Sequence, residues 1–372
     1  MEPLCLLSVF QLTTFEITSL RNRKRIPWRE AKALKYPYGT PHQTGVIKSQ
    51  ADDFRVSENL GFDACGEGEH LCLQIEKTNL TTQDLIEQVA REFSVKPRDI
   101  GYSGLKDKLA VTQQWLSVHL PGQMNSAEIT SSSYYTLLQH GWHNKKIRSG
   151  SHRSNSFEVI VRGIAELSDQ TQQQINDVKM SGMANYFGEQ RFGAQQDNVQ
   201  RAIHTFSNER RTRKLSRTKR SLYISSLRSF LFNQILSRRL EQNHWHQPLQ
   251  GDVYMLSGSH SLFTSVIDDS ILDRYQQQDI SSAASLYGEG VSMLSGNALA
   301  IEDAVLDQYP EIVACLVGQK VKLQMRTTRV MIEGFSVSHD SDSQSLKVTA
   351  TLPSGCFFTS LLKHFIDTSN GP

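Results

Sequence analysis

The hydrophobic periodicity of the chain changes twice, and this change constrains the fold more than any other feature. From about residue 44 to residue 164, strand-like runs such as "HLCLQIEKTNL" and "NSFEVIVRGI" surround one helical run, "TTQDLIEQVAREFSV". Helical spacing dominates from 170 to about 320, and strand character returns in "LKVTATL". Mixed segments on both sides of a helix-rich middle predict an α+β fold with an insertion inside one domain.

Local sequence signals predict where individual elements begin and end. Thr81 or Thr82 is placed to cap the first helix. The amphipathic run "SLRSFLFNQILSRRLEQN" predicts a second helix that begins after Ser225 or Ser226. Pro310 is expected to break the helical run near the end of the middle segment. The segment "PSGCFFTSLLKHFID" is expected to form a turn followed by an apolar helix.

Composition indicates a soluble globular protein with local concentrations of positive charge. Apolar residues make up 38% and charged residues 21%, and no window approaches the apolar length of a membrane span. Net charge is only +2, yet residues 143–153 and 210–220 are rich in Lys and Arg and contain no acid. Two such clusters favour contacts with a polyanion such as nucleic acid. The alternative for either cluster is a solvated loop.

The cysteines are typical of a protein in a reducing cytoplasm, and the N-terminus does not resemble a secretory signal. The five cysteines are odd in number and contain no C-x-x-C pair, so neither a disulfide framework nor a zinc site is expected. Residues 1–27 have basic residues after a short apolar start, which is the reverse of a secretory signal. We interpret them as a poorly ordered extension or a misplaced start.

Familiar cofactor and catalytic motifs are absent from the sequence. It contains no G-x-x-x-x-G-K-[ST], G-x-G-x-x-G, H-E-x-x-H or G-x-S-x-G. ATPases, dinucleotide enzymes, zincins and α/β-hydrolases are therefore disfavoured. A cofactor-free enzyme or a binding protein remains.

A lone carboxylate, Asp107, lies between Lys106 and Lys108 in "GYSGLKDKLAVTQQW". Asp107 could have a purely structural role, in which its carboxylate caps its own turn. It could also be a catalytic carboxylate that nearby cations keep ionised. In a strand both lysines would point away from Asp107, so a cation from elsewhere in the chain is a further candidate partner.

Two other segments combine aromatic residues with polar ones. Asn155 and Phe157 would share one face of a strand, where an amide and a ring could bind a flipped-out base. They could equally be a turn residue and a core residue. The segment "NYFGEQRFG" (residues 185–193) is either a packed turn or a surface for RNA bases and phosphates.

Together these segments resemble one known family. "GYSGLKDKLAVTQQW" resembles the signature G-x-x-G-x-K-D-[KR]-x-A-V-T-x-Q of TruD-type tRNA pseudouridine synthases, and the other segments follow in that family's order from about residue 37 to 367. The resemblance implies a pseudouridine synthase catalytic domain with a mixed, mainly antiparallel sheet. It also implies an inserted, helix-rich α/β TRUD domain. The expected boundaries are 28–180 and 326–372 for the catalytic domain and 181–325 for the insertion.

The resemblance further implies isomerisation of uridine to pseudouridine in tRNA, at position 13. No metal, nucleotide or redox cofactor would be needed, and a cytoplasmic monomer is expected. Asp107 would act as nucleophile at C1′ or as the base that removes a sugar proton, with Lys48 and Lys106 as its charge partners. Asn155 and Phe157 would hold the uracil. The expected phosphate contacts are Lys145, Lys146, Arg148, Arg191, Arg210, Arg211, Arg213, Lys214, Lys219 and Arg220.

Three positions depart from the family pattern. Ser154 replaces a glycine before Asn155, Phe358 replaces a small residue, and Lys363 replaces an arginine. An arginine that makes two parallel hydrogen bonds is not matched by lysine. The sequence leaves two rivals open. One is an RNA-binding protein on this scaffold without catalysis, and the other is a pseudouridine synthase that acts on another RNA.

Overall fold

The structure, a computed structural model, describes residues 33–124, 130–193 and 195–370. The extension expected at residues 1–27 therefore lies outside the described residues. In chain order the described strands are β1 (Thr44–Ile47), β2 (Phe54–Asn59), β3 (His70–Thr78), β4 (Ile100–Tyr102), β5 (Val111–His119), β6 (Thr136–His143), β7 (Ser154–Arg162), β8 (Met183–Ala184), β9 (Val253–Leu256), β10 (Leu262–Thr264), β11 (Ile280–Leu286), β12 (Gln324–Thr327), β13 (Arg329–Val330), β14 (Glu333–Asp340), β15 (Ser345–Pro353) and β16 (Asp367–Asn370).

The described α-helices lie mostly between the first and last groups of strands. They are α1 (Thr82–Glu92), α2 (Asp169–Ser181), α3 (Asn198–Phe206), α4 (Glu209–Arg213), α5 (Arg217–Glu241), α6 (Asp269–Gln276), α7 (Gly296–Leu306), α8 (Pro310–Val317) and α9 (Phe358–Leu362). This order confirms the predicted sequence of mixed, helix-rich and mixed segments.

One large sheet takes its strands from both ends of the chain. Ten strands join it, with the main order β14-β15-β7-β2-β5-β3-β6, while β1 joins β7 and β16, and β4 joins β5. Its pairs are antiparallel except β1 with β16 and β2 with β5, which are parallel. The expected α+β fold with a mixed, mainly antiparallel sheet is confirmed.

The middle of the chain builds a second, smaller sheet. Its order is β10-β9-β11-β12, and it packs against the long helix α5. The short strands β8 and β13 pair with each other where the chain leaves the large sheet and where it returns. A continuous apolar core lies under β1, β2, β7 and β15, against α2 and α9.

The helix α1 begins as the sequence predicts. The Thr81 hydroxyl accepts a hydrogen bond from the Asp84 backbone N–H at 3.1 Å, and the Asp84 carboxylate accepts one from the Thr81 N–H at 3.3 Å. This reciprocal arrangement is a capping box, which satisfies backbone donors at the helix start. It fixes the first turn of α1, and that turn supports the loop carrying Asp107.

The start predicted for the helix containing "SLRSFLFNQILSRRLEQN" is wrong. The helix α5 begins at Arg217, and Ser216 caps it by accepting from the Lys219 N–H at 3.3 Å. Ser226 lies inside the helix, where its hydroxyl donates to the Leu222 carbonyl at 3.0 Å. Its first turn carries cations rather than apolar residues, so hydrophobic periodicity gives no signal there. The break at Pro310 is confirmed, since α8 begins at that residue.

Candidate active site

Asp107 lies on a loop between β4 and β5, and hydrogen bonds to neighbouring elements fix the backbone of this loop. The Lys106 backbone N–H donates to the Thr82 hydroxyl, at the start of α1, at 2.9 Å. The buried Lys77 ammonium donates to the Asp107 backbone carbonyl at 3.2 Å. The Asp107 side chain itself is 47% exposed. The loop therefore presents a carboxylate to solvent on a backbone that neighbouring elements fix.

Lys48 is the cation that meets this carboxylate. Its ammonium lies 3.2 Å from Asp107 Oδ2, and only 12% of its side chain is exposed. Its φ of +56° puts the backbone in the left-handed region, which non-glycine residues rarely adopt. The ammonium also lies 4.4 Å from the centroid of the Phe54 ring. This contact places a mostly buried positive charge directly beside the Asp107 carboxylate.

Lys106 has a different partner. Its side chain points into the protein, where its ammonium lies 2.9 Å from Glu58 Oε2 and donates to Asn155 Oδ1. Glu58 and Asn155 are directly opposite each other on the antiparallel strands β2 and β7. Lys106 therefore joins the Asp107 loop to the large sheet instead of pairing with Asp107.

A third lysine, Lys77, is buried beside the same loop. It donates to the carbonyls of Leu80 and Asp107. Burial lowers the pKa of Lys77 to about 8. Its role in the site is to hold the backbone, because its hydrogen bonds go to carbonyl oxygens and not to the Asp107 carboxylate.

Phe157 belongs to a group of three aromatic rings. It stacks on Phe358 with ring centroids 4.8 Å apart and 29° between the ring planes. The Phe54 ring meets Phe157 at 6.2 Å and Phe358 at 6.1 Å, both edge to face. Because Lys48 lies over Phe54, the rings and the Asp107 carboxylate form one continuous set of contacts. Phe358 thus fills the space against one face of Phe157.

Ser154 and Lys363 are the other two positions that depart from the family pattern, and each contacts neighbouring parts of the fold. Ser154 opens β7, opposite Asn59 of β2 and Pro353 of β15, and it is buried. The Lys363 ammonium pairs with Asp367 and lies 3.4 Å from Glu189 Oε1. Lys363 therefore connects α9 to the turn at residues 189–192.

The basic segment at residues 143–153 follows β6 and packs against β4. The Ile147 N–H donates to the Ser117 hydroxyl at 2.9 Å, and a Cβ on Gly101 would lie 2.3 Å from the Ile147 carbonyl oxygen. Only glycine therefore allows this close approach. Lys145 and Arg148, on either side of Ile147, are exposed. The Lys146 ammonium instead donates to the Arg98 carbonyl.

The second basic segment is helical and not a loop. It covers α4 and the first turn of α5, and all its cationic residues are exposed. Some are engaged locally, since Arg213 pairs with Glu209 and Arg220 donates to Gln319 Oε1 at 2.8 Å. Arg211 contacts the His204 ring. Lys219 lies 5.8 Å from the centroid of the Tyr223 ring. Arg210 and Lys214 have no ion pair or side-chain hydrogen bond within the described residues.

The first four residues of "NYFGEQRFG" are buried. The Tyr186 hydroxyl donates to the Lys35 carbonyl at 2.6 Å, and the Phe187 N–H donates to Asn233 Oδ1 at 2.9 Å. Glu189 and Gln190 are exposed, and Arg191 is half-buried with its guanidinium 5.6 Å from the centroid of the Phe187 ring and 5.3 Å from that of Phe357. The packed-turn interpretation thus holds for the aromatic residues of this segment.

Glu58 and Lys77 are site residues that the sequence analysis missed. A signal for both was present. Glu58 falls on the same face of β2 as Phe54 and Val56, and Lys77 falls on the same face of β3 as Leu73 and Ile75. A charged residue on the apolar face of a strand must find a partner inside.

The described ranges contain neither a metal-ligand cluster nor a membrane helix. No group of three His, Cys, Asp or Glu side chains there is placed to hold a metal ion. No helix in the same ranges combines the length and apolar character that crossing a bilayer requires.

Comparison with known proteins agrees with the resemblance noted in the sequence. The family model described as tRNA pseudouridine synthase D (TruD) matches residues 31–204 and 198–365. The chain belongs to the TruD family. A tRNA pseudouridine synthase D from Methylococcus capsulatus is 36% identical over 325 residues, covering 87% of this chain and 91% of that protein. Another from Psychrobacter arcticus is 32% identical over 397 residues, with 96% of each chain covered.

A solved structure shares the TruD fold. It is described as a tRNA pseudouridine synthase D from Methanosarcina mazei, and it superposes with a TM-score of 0.68 over 89% of this chain and 95% of that one. Sequence identity is 18%, so this comparison supports the fold alone.

Proposed function

We propose that this chain isomerises uridine to pseudouridine at position 13 of tRNA, with Asp107 as the catalytic carboxylate. Membership of the TruD family supports the reaction and its tRNA substrate. The observation that carries the residue assignment is the Lys48–Asp107 ion pair, 3.2 Å long, on a fixed and solvent-facing loop. A carboxylate that merely capped its own turn would need no such partner from a distant part of the chain.

The isomerisation exchanges a carbon–nitrogen glycosidic bond for a carbon–carbon one and moves one proton. The C1′–N1 bond of uridine breaks, the uracil rotates, a C5–C1′ bond forms, and the C5 proton is lost while N1 gains one. Asp107 either attacks C1′ directly or removes a sugar proton. Both routes start from the ionised carboxylate, which the Lys48 ammonium stabilises.

Asn155 and Phe157 would receive the flipped uracil. Because Asn155 Oδ1 accepts from Lys106, the amide nitrogen is oriented as a donor toward other groups. Such a donor suits a uracil carbonyl oxygen. Phe157 is supported on one side by Phe358, so a base would stack on what remains of its surface. Stacking on an aromatic ring offsets part of the cost of flipping, which is a few kcal/mol.

The basic segments would hold the RNA backbone outside the reaction site. Lys145 and Arg148 lie on the segment whose Ile147 N–H binds Ser117 of β5, close in the chain to Asn155. The cations of α4 and α5 provide a second exposed group on the inserted part of the chain. Phosphate contacts of this type give affinity without reading sequence.

We also propose domain boundaries near residues 180 and 326, with the insertion between them. The pairing of β8 with β13 supports this division, because it closes the insertion at its two ends. All the proposed catalytic groups come from one chain, which is compatible with a monomer. A tRNA substrate is compatible with a cytoplasmic location.

The decisive experiment uses purified protein and unmodified tRNA transcript. Pseudouridine is mapped by carbodiimide adducts and primer extension. We expect a stop at position 13 with the wild type and none with Asp107→Asn, while the two bind tRNA equally. Asp52→Asn, which removes an exposed carboxylate paired with Arg55, is the matched control and should remain active. An active Asp107→Asn would refute the assignment. Tight binding without product in the wild type would favour an RNA-binding protein.

A further inference from the structure

Two half-buried arginines lie against one aromatic ring at the edge of the candidate active site. The Arg326 guanidinium, on β12, lies 4.1 Å from the centroid of the Phe187 ring. The Arg191 guanidinium lies 5.6 Å from the same centroid and 5.3 Å from that of Phe357. Two positive charges therefore lie in the same half-buried, aromatic environment.

Neither arginine has a carboxylate partner among the described residues. Arg326 donates to the Asn185 backbone and side-chain oxygens and, at 3.1 Å, to the Gly355 carbonyl. Arg191 donates to the Ser225 hydroxyl at 3.2 Å, and its Nε is buried without a partner. Burial lowers the pKa of Arg191, and it lowers that of Arg326 to about 10, with the Arg191 charge contributing.

Some arginines elsewhere in the described residues are neutralised by a carboxylate, whereas Arg228 and Arg329 donate only to backbone carbonyls. Arg239 makes two 2.8 Å hydrogen bonds to the carboxylate of Asp252 inside the insertion, and Arg162 pairs with Asp53 beside the large sheet. Uncompensated charges in a low-dielectric setting are costly unless an anion binds there. Arg191 and Arg326 differ from these single arginines because their two unneutralised charges lie over the same Phe187 ring and repel each other, which favours a counter-charge from outside the protein.

The location suggests which anion that is. Gly355 and Phe357 belong to the turn that leads into α9, and the next residue, Phe358, stacks on Phe157. The arginine pair is therefore connected, through this turn and Phe358, to the Phe157 ring that we assign to the target uracil. Guanidinium groups bind phosphate oxygens through parallel hydrogen bonds.

We propose that Arg191 and Arg326 form a binding site for one backbone phosphodiester of the RNA, close to the nucleotide that is isomerised. The site rests on the proposed function for the identity of its ligand. It differs from the exposed basic segments because its cations are half-buried, fixed by aromatic rings and free of acids within the described residues. It would fix the register of the target nucleotide as well as add affinity.

The first test is the salt dependence of tRNA binding, measured with Arg191→Gln. Losing one phosphate contact should reduce the slope of log Kd against log salt by about 0.7 to 0.9 and weaken binding roughly tenfold at fixed salt. The matched control is Arg274→Gln. Arg274 also lies over an aromatic ring, Phe263 at 5.2 Å, but Asp279 neutralises it at 2.6 Å. Its loss should leave the slope unchanged.

The second test locates the phosphate with synthetic RNAs that carry a single neutral methylphosphonate. Near the target uridine, one position should weaken wild-type binding but should not weaken Arg191→Gln further. If Arg191→Gln does not fold, Arg191→Lys is scanned instead and should show a reduced penalty at the same position. A slope unchanged by Arg191→Gln, or no position whose penalty depends on residue 191, would overturn the proposal. Because both tests measure binding, they are independent of whether wild-type protein makes pseudouridine.

Discussion

The ammonium of Lys48 lies 3.2 Å from Asp107 Oδ2, although Lys48 follows the first strand and Asp107 precedes the fifth. The two lysines beside Asp107 in the sequence do not fill this place. Lys106 turns inward to Glu58, and Lys108 is exposed. The positive partner of Asp107 is therefore Lys48, a residue distant in the sequence that folding brings close.

Lys48→Met should therefore reduce the rate of pseudouridine formation. Without the ammonium, the ionised carboxylate loses its nearest stabilising charge, and we expect a fall of about 100-fold in the single-turnover rate constant. Affinity for tRNA should change little, because Lys48 is mostly covered by the protein. Lys347→Met is the control, since it removes a lysine from an exposed pair with Glu158 at 2.9 Å. Equal losses in both variants would contradict a specific role for Lys48.

Lys106→Met should destabilise the fold. The change leaves the Glu58 carboxylate buried and without its cation, which typically costs about 3–5 kcal/mol in the free energy of unfolding. The double variant Glu58→Gln/Lys106→Met should recover much of this loss, because the uncompensated charge is gone. Urea denaturation of the two single variants and the double variant provides the measurement. Purely additive losses would show that the pair is not coupled.

The sequence predicted the elements of the large sheet well because their signals are local. Alternation of apolar residues marks β3, β5 and β7, and the Thr81 cap marks the start of α1. The start of α5 was missed because its first turn is cationic, where hydrophobic periodicity carries no information. Strand order could not be predicted, since it is decided by pairings between distant segments, such as β15 with β7.

The sequence provided candidate site residues but not the contacts that connect them. Sequence motifs predicted site roles for Asp107, Asn155 and Phe157, which stay predictions, and gave no signal that Lys106 would bridge Glu58 and Asn155. That bridge depends on the register between β2 and β7, which places those two residues opposite each other. Likewise, the stacking of Phe358 on Phe157 requires α9 to pack beneath β7, which is a long-range contact.

Phe358→Ala should weaken both the fold and the reaction. The ring is 2% exposed, so its removal opens a cavity and should cost about 3–5 kcal/mol in the free energy of unfolding. Phe157 also loses the ring that supports it, so pseudouridine formation should slow more than tRNA binding weakens. Phe335→Ala is a useful control, because Phe335 is also in the core but contacts Phe365 instead. If both variants slowed the reaction equally when folded, the support of Phe157 would not be the cause.

Glu302 should make the stability of the protein depend on pH between about 4.5 and 7. Its carboxyl group is buried in the insertion and accepts from the Ser285 N–H at 2.8 Å. Burial raises its pKa from 4.5 to about 7. In this window the folded state keeps a proton that the unfolded state has lost. The contribution of Glu302 to stability is therefore highest at low pH and is lost as pH rises through 7.

Glu302→Gln tests this directly, because glutamine can accept the same hydrogen bond and stays neutral at every pH. Wild type and variant should have similar free energies of unfolding near pH 4.5. The variant should become more stable by up to about 3 kcal/mol at pH 8. Urea denaturation at pH 5, 6, 7 and 8 measures the difference, and the exposed Glu289→Gln controls for the loss of one negative charge. A constant difference between wild type and Glu302→Gln across this range would show that Glu302 does not titrate there.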